Sequence, residues 1–173
     1  MTTPSSVDTA LPGQRELSMT VLMTPDMANF SGKVHGGAIL KKLDEVAYAC
    51  ASRYSGHYVV TLSVDQVLFK QPIMVGELVT FLASVNHVGR SSMEIGIKVV
   101  AEDIREKLIR HTNSCYLTMV AVDPDGKPAQ VAPLPLNTPL QKLRFEKAAL
   151  RKKLRKQAEQ EEKRAQQHLE SAQ

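Results

Sequence analysis

Hydrophobic and polar positions divide the chain into one strand, one helix and then four further strands. Glu16–Thr24 predicts a first strand, which ends at Pro25 and Asp26. From about Gly36 to Tyr54 the apolar residues recur at helical spacing, and Gly56 is a plausible left-handed cap at the end of this helix. The apolar stripe of the helix comprises Ile39, Leu43, Val46, Ala47, Cys50 and Tyr54.

Four strand-like segments follow the helix with short connections between them. They cover Tyr58–Lys70, Leu78–Val88, Met93–Glu102 and Ile109–Val122. Because each connection is short, neighbouring strands should be antiparallel. A single helix with a wide apolar stripe also needs a surface to pack against. We therefore expect an α+β domain, in which an antiparallel sheet of about five strands wraps around one long central helix.

Charge divides the chain into a nearly neutral domain and a basic tail. Residues 1–136 hold 12 Lys/Arg and 13 Asp/Glu, whereas residues 137–173 hold 10 and 5. We expect a disordered lead-in over residues 1–14, a globular domain over 15–135, and a Pro-containing linker with a charged, basic helix over 136–173. The end of that helix, from Gln157 onward, has almost no apolar residues and is expected to fray. Nucleic-acid binding by the domain is not expected, because its composition indicates no basic surface and aromatic residues make up only 5% of the chain.

Three further features of the sequence favour a cytoplasmic protein. No apolar run approaches the ~20 residues that a membrane-spanning helix needs. The first residues lack the basic start and apolar stretch of a signal peptide. Cys50 and Cys115 fit neither a metal-binding nor a redox spacing, and each lies in an apolar pattern. We expect both to be small buried hydrophobic residues, and we expect no metal site.

The helix carries one carboxylate near its apolar stripe. Asp44 lies about 100° from Leu43 around the helix, so it can be half-buried and still reach a cleft. Such a carboxylate can act as a general base, although most aspartates are solvated surface groups. Gly36 and Gly37 begin the helix with no Ser, Thr or Asp cap. Their amides are expected to be free to bind a developing oxyanion, with a plain tight turn as the alternative.

Four other residues are candidates for binding or catalysis. Asn29 either orients a water or a carbonyl group, or forms a local turn through its side chain. His35 is either a general acid or a structural hydrogen-bonding group. Arg90 and Ser91 lie in a predicted hairpin turn, which either binds phosphate or is simply solvated.

Four segments carry recognisable motifs: NFSGKVHGGAILKKLD from Asn29, VTLSVDQVLF from Val60, GRSSMEI from Gly89 and YLTMVAVDPDGKP from Tyr116. Together they resemble the hot-dog-fold acyl-CoA thioesterases, most closely the cytosolic acyl-CoA hydrolase branch. The resemblance covers about residues 15–135, and its most specific part is the helix-entry motif that begins at Asn29.

The resemblance implies a hot-dog fold, homodimers whose sheets join into one, trimers of dimers, and active sites at the dimer seam. It implies that Asp44 is the catalytic carboxylate and that Asn29 acts across the seam on the partner's site. The amides of Gly36 and Gly37, beside His35, would bind the thioester carbonyl. The turn with Arg90 and Ser91 would lie near the CoA moiety. No cofactor is implied, because CoA is part of the substrate and product.

The expected reaction is hydrolysis of acyl-CoA to free acid and CoA. Asp44 would either activate a water or attack the thioester directly to give an anhydride. A hydratase or dehydratase of acyl thioesters on the same fold is one alternative, but such sites pair an Asp with a His, and the sequence places no His convincingly beside Asp44. A non-catalytic acyl-CoA or nucleotide sensor is another. A transcriptional sensor would need a DNA-binding helical module, and the N-terminal segment shows no helical pattern.

Overall fold

The computed structural model describes residues 14–171, so the predicted lead-in lies almost entirely outside the described residues. The chain forms two compact units, which divide between Ala132 and Pro133. The first unit contains strand β1 (Glu16–Leu22), a short 3-10 turn (Pro25–Met27), helix α1 (Gly36–Ser55), and strands β2 (Tyr58–Val64), β3 (Leu78–Val88), β4 (Ser92–Asp103) and β5 (Leu108–Val122). The second contains helix α2 (Pro139–Ser171).

The five strands form a single antiparallel sheet in the order β1-β3-β4-β5-β2. This confirms the predicted strand number and direction. The order places β1 and β2 at opposite edges, because the chain crosses the sheet between them through α1. Only β5 pairs with β2 in the described part of the chain, so the other side of β2 is an open edge.

Helix α1 packs against one face of this sheet and supplies the centre of the core. Every residue of the predicted apolar stripe is buried, and so is Ala51. The alternating residues of β4 cover the helix from the sheet side: Met93, Ile95, Ile97, Val99 and Ala101 are all buried. Gly56 ends the helix with a φ of 71°, and its N–H donates to the Ser52 carbonyl, as the sequence predicts.

Strand β2 is shorter than predicted. It ends at Val64 rather than at Lys70, after a bulge that shifts its register on β5 between Thr61 and Ser63. Past this point the chain leaves the sheet edge and runs back toward the beginning of α1. There the Val34 N–H donates to the Ile73 carbonyl. The part of the predicted strand beyond Val64 therefore belongs to an irregular connection and not to a longer strand.

Helix α2 continues to Ser171, so the prediction that the chain frays beyond Gln157 is wrong for the described residues. Its first turn is closed by a reciprocal cap, in which Thr138 Oγ1 accepts from the Gln141 N–H and Gln141 Oε1 accepts from the Thr138 N–H. The distal part is rich in residues that favour helices, and Glu159 precedes Lys163 by one turn. No helix within residues 14–171 is long and apolar enough to cross a membrane.

Candidate active site

Asp44 lies on α1 beside an open cleft of about 380 Å³ between the helix and strand β2. The cleft is lined by Asp44, Glu45, Tyr48, Tyr58, Val59, Val60 and Thr61. In the single chain Asp44 is exposed, although its position at the edge of the stripe would also allow it to be half-buried. The cleft therefore offers the carboxylate an apolar wall on one side and solvent on the other.

The carboxylate is held by a residue that the sequence analysis did not select. The Thr61 hydroxyl donates to Asp44 Oδ1 at 2.6 Å, a short distance typical of a hydrogen bond to a charged acceptor. Thr61 is two residues from buried Val59, so both face the helix side of the sheet. A polar residue on that face was the signal in the sequence that could have identified it.

Two tyrosines form part of the same cleft. The rings of Tyr48 on α1 and Tyr58 on β2 pack edge to face, with centroids 5.8 Å apart and an interplanar angle of 64°. Both side chains are large and partly exposed, at 40% and 62%. Such a pair gives the cleft an apolar border that suits an apolar group.

The beginning of α1 differs from expectation in one respect. His35 is the N-cap, and its Nδ1 accepts a hydrogen bond from the Gly37 N–H at 2.9 Å. The prediction that both glycine amides lack a side-chain partner is therefore wrong for Gly37. It was made because histidine is not among the common caps. Within residues 14–171 the Gly36 N–H has no partner, so it is the amide that remains available to a ligand.

The hydrogen bond that caps α1 also fixes the tautomer of the His35 ring. Because Nδ1 accepts, it carries no proton, and in the neutral ring the proton lies on Nε2. A Cβ on residue 37 would lie 3.1 Å from Nδ1, closer than most Cβ contacts in proteins, so glycine leaves room for the ring in this orientation. His35 is exposed, and its Nε2–H is therefore presented at the beginning of the helix as a second donor beside the Gly36 amide.

Asn29 forms the local turn that was one of its two predicted roles. Its Oδ1 accepts from the Ser31 N–H, the Ser31 hydroxyl and the Lys33 N–H at 2.9, 2.8 and 3.1 Å. Its Nδ2 donates to no protein group in the described part of the chain. Asn29 does not line the cleft that contains Asp44 of its own chain. The turn thus uses the carbonyl half of the amide and leaves the donor half available.

Arg90 and Ser91 form the tip between β3 and β4, as predicted. The backbone of this turn is fixed, because the Arg90 carbonyl accepts from the Val131 N–H and the Ser91 carbonyl accepts from the Ala121 N–H. Arg90 is exposed, and neither residue lines the Asp44 cleft. The structure therefore does not bring this turn into the same cleft as the carboxylate.

The cysteines are inert groups in the core. Both are fully buried, and burial raises the pKa of Cys50 and of Cys115 to about 12. Burial thus disfavours the thiolate form of both cysteines at neutral pH, and neither side chain reaches a surface where a substrate could meet it. No cluster of three potential His, Cys, Asp or Glu ligands occurs within the described ranges.

The chain is similar to known proteins over most of its length. Residues 31–108 match the thioesterase superfamily. Protein VdlD of Helicobacter pylori is 50% identical over 150 residues, which is 87% of this chain and 84% of VdlD. A hexameric acyl-CoA thioesterase solved without ligand has a TM-score of 0.80 and 35% identity, covering 85% of this chain and 95% of that chain.

An acyl-CoA hydrolase of Staphylococcus aureus, solved with butyryl coenzyme A and coenzyme A, has a TM-score of 0.79 and 30% identity. The match covers 91% of this chain and 95% of that chain. The same enzyme has been solved with alanine in place of an asparagine, an aspartate or a threonine, residues separated by 15 and 17 positions in that chain. The chain described here therefore belongs to the thioesterase superfamily, among the hot-dog-fold acyl-CoA thioesterases, and is a hydrolase that acts on thioester bonds.

Proposed function

We propose that the protein hydrolyses acyl-CoA to a free acid and CoA, with Asp44 as the catalytic carboxylate. The observation that carries this proposal is the Thr61 hydrogen bond, which holds Asp44 Oδ1 at an open, partly apolar cleft. A fixed carboxylate beside a space that accepts an apolar group is what thioester hydrolysis needs.

Asp44 has two possible roles in this reaction. As a general base it takes a proton from water while the water oxygen attacks the thioester carbon, and the carbon–sulfur bond then breaks. As a nucleophile it attacks the carbon itself, and water hydrolyses the resulting anhydride. In both routes CoA leaves as the thiolate and gains a proton. General-base assistance typically contributes about 10²- to 10⁴-fold.

The beginning of α1 would polarise the thioester carbonyl. In this proposal the Gly36 N–H and the His35 Nε2–H are the donors, and the helix dipole adds to their effect. Gly37 contributes by binding His35 Nδ1, which keeps the ring in the donating tautomer. A single such donor is typically worth about 3–4 kcal/mol in the transition state.

Asn29 would act on the neighbouring subunit. We propose a homodimer with shared active sites, assembled as a trimer of dimers, in which Asn29 of one protomer orients water or carbonyl at Asp44 of the other. The open edge of β2 supports this arrangement, because Val60, Leu62 and Val64 are 41%, 68% and 49% exposed in the single chain. Two of the similar structures are described as hexamers.

Residue spacing gives independent support for the catalytic set. Asn29 precedes Asp44 by 15 positions, and Asp44 precedes Thr61 by 17. The asparagine, aspartate and threonine replaced in the Staphylococcus aureus variants have the same separations. We assign Asn29 to orientation of water or carbonyl, Asp44 to the chemical step and Thr61 to positioning of the carboxylate.

The remaining predicted contacts concern the CoA moiety. We propose that Arg90, with Ser91 and the turn amides, binds a phosphate of CoA, because an exposed guanidinium on a fixed turn suits that charge. CoA enters as part of the substrate and leaves as product. The proposed reaction therefore uses no further cofactor and no metal.

A thiol-release assay over a series of acyl-CoA chain lengths tests this function. We expect release of one CoA thiol per acyl group, with the free acid as the other product. Incubation with an enoyl-CoA separates the hydratase alternative, because hydration removes the double-bond absorbance without releasing thiol. Loss of that absorbance with no thiol release from any acyl-CoA would contradict the proposal.

A further inference from the structure

A partly buried ion pair lies outside the site described above. The guanidinium of Arg110 on β5 donates to Glu77 through both of its terminal nitrogens, with Nη1 to Oε1 at 2.7 Å and Nη2 to Oε2 at 2.8 Å. Glu77 is only 3% exposed. A pair of this kind contributes little net stability compared with an apolar pair, but its two parallel hydrogen bonds fix the positions of the groups that it joins.

Both members of the pair also bind the backbone around Ile73. The Met74 N–H donates to Glu77 Oε2 at 2.9 Å, and Arg110 Nη2 donates to the Pro72 carbonyl at 2.9 Å. The peptide groups on either side of Ile73 are thus bound by two side chains that are bound to each other. The Ile73 side chain is itself buried.

Ile73 in turn holds the segment that carries the proposed site residues. Its carbonyl accepts from the Val34 N–H at 2.9 Å, and the adjacent Lys33 forms a backbone bridge with Met74. Lys33 also closes the Asn29 turn, since the Asn29 N–H donates to the Lys33 carbonyl at 2.6 Å. His35, the cap of α1, follows Val34 directly.

We propose that Glu77 and Arg110 are positioning residues, which set the location of the Asn29 turn through Ile73 and the backbone of Lys33 and Val34. This inference rests on the proposed function, in which Asn29 orients water or carbonyl at the thioester. A displacement of about 1 Å in such a group can lower turnover by about 100-fold. The pair would therefore affect kcat although neither Glu77 nor Arg110 contacts the substrate or the reacting atoms.

Steady-state kinetics of the full chain with Arg110→Met test the proposal. We expect kcat to fall by about 10- to 100-fold with KM within about threefold of the wild type, and Arg110→Lys to restore part of the loss. Glu77→Gln keeps an oxygen for the Met74 N–H and should also lower kcat. This variant replaces Arg110→Met in the test if Arg110→Met does not fold. Val99→Ala, a buried change in β4, is the control for lowered stability and should keep wild-type kcat below its melting temperature.

A double-mutant cycle with Asn29→Ala separates positioning from a purely structural role. If Arg110 acts through the Asn29 turn, Arg110→Met should lower kcat much less in the Asn29→Ala background than in the wild type. Equal losses in both backgrounds, with Asn29→Ala itself impaired, would overturn the positioning role and leave the proposed function intact. Wild-type activity of Asn29→Ala would overturn the proposed role of Asn29 and this inference with it.

Discussion

The Thr61 hydroxyl and the Asp44 carboxylate are joined by a 2.6 Å hydrogen bond between residues 17 positions apart. The bond connects the exposed edge strand to the central helix at the place where the cleft opens. Thr61 immediately precedes the bulge that shifts the register of β2 on β5. Bulges re-aim neighbouring side chains, so this irregularity belongs to the geometry of the site.

Replacing Thr61 by valine should lower activity while the fold is kept, because the two side chains have nearly the same shape. Hydrogen bonds to charged groups are worth about 1.5–3 kcal/mol, so we expect kcat to fall roughly 10- to 100-fold. Thr61→Ser keeps the hydroxyl and should retain most of the activity. Thr20→Val removes a hydroxyl from an exposed Thr20–Thr80 contact and is the matched control. Equal activity of Thr61→Val and the control would remove Thr61 from the mechanism.

Mixing two inactive variants tests whether the site is shared between subunits. In a heterodimer of Asn29→Ala and Asp44→Ala, one site receives an intact Asn29 and an intact Asp44 from different chains. Co-expression should therefore restore activity to roughly a quarter of the wild-type value, since about half of randomly formed dimers are mixed and each has one intact site. If the mixture stays as inactive as the separate variants, Asn29 does not act across the seam.

Alkaline unfolding should depend on the two buried cysteines. Their pKa is raised from 9.0 to about 12, so between these values the folded protein keeps protons that the unfolded chain releases. The stability that the two protonated thiols contribute is fully present below pH 9. It is lost as pH rises toward 12, at about 1.4 kcal/mol per pH unit for each thiol.

The measurement is the free energy of unfolding in denaturant titrations at pH 8, 9 and 10. The variant Cys50→Ala/Cys115→Ala is less stable at pH 8 because it leaves cavities. Its stability should nevertheless decline less between pH 9 and pH 10 than that of the wild type. Parallel declines would show that the thiols do not titrate differently in the folded state.

Most of the fold could be predicted from periodicity. The stripe of α1 and the alternation of β4 are strong signals, because in each element the apolar residues recur on the side that faces the core. The end of β2 could not be predicted, since a β-branched segment suits either an edge strand or a covering loop. That choice depends on the long-range contact between Val34 and Ile73.

The candidate site was predictable only in part for the same reason. The position of Asp44 on the helix follows from its spacing to Leu43, and the structure places it at a cleft. Its contact with Thr61 depends on strand register, and the cap by His35 depends on a side-chain rotamer. Neither leaves a regular pattern in the sequence. The prediction that the glycine amides lack a side-chain partner consequently holds for Gly36 and not for Gly37.

The most direct test of the account is thiol release by Asp44→Asn, which removes the charge of the carboxylate and keeps its shape. Asp26→Asn, at an exposed carboxylate in the 3-10 turn, is the control, and light scattering confirms that each variant keeps the wild-type oligomer. We predict that kcat falls by at least about 10²-fold in Asp44→Asn and stays unchanged in the control. Wild-type kcat in a correctly assembled Asp44→Asn protein would contradict the central claim that this carboxylate performs the chemical step.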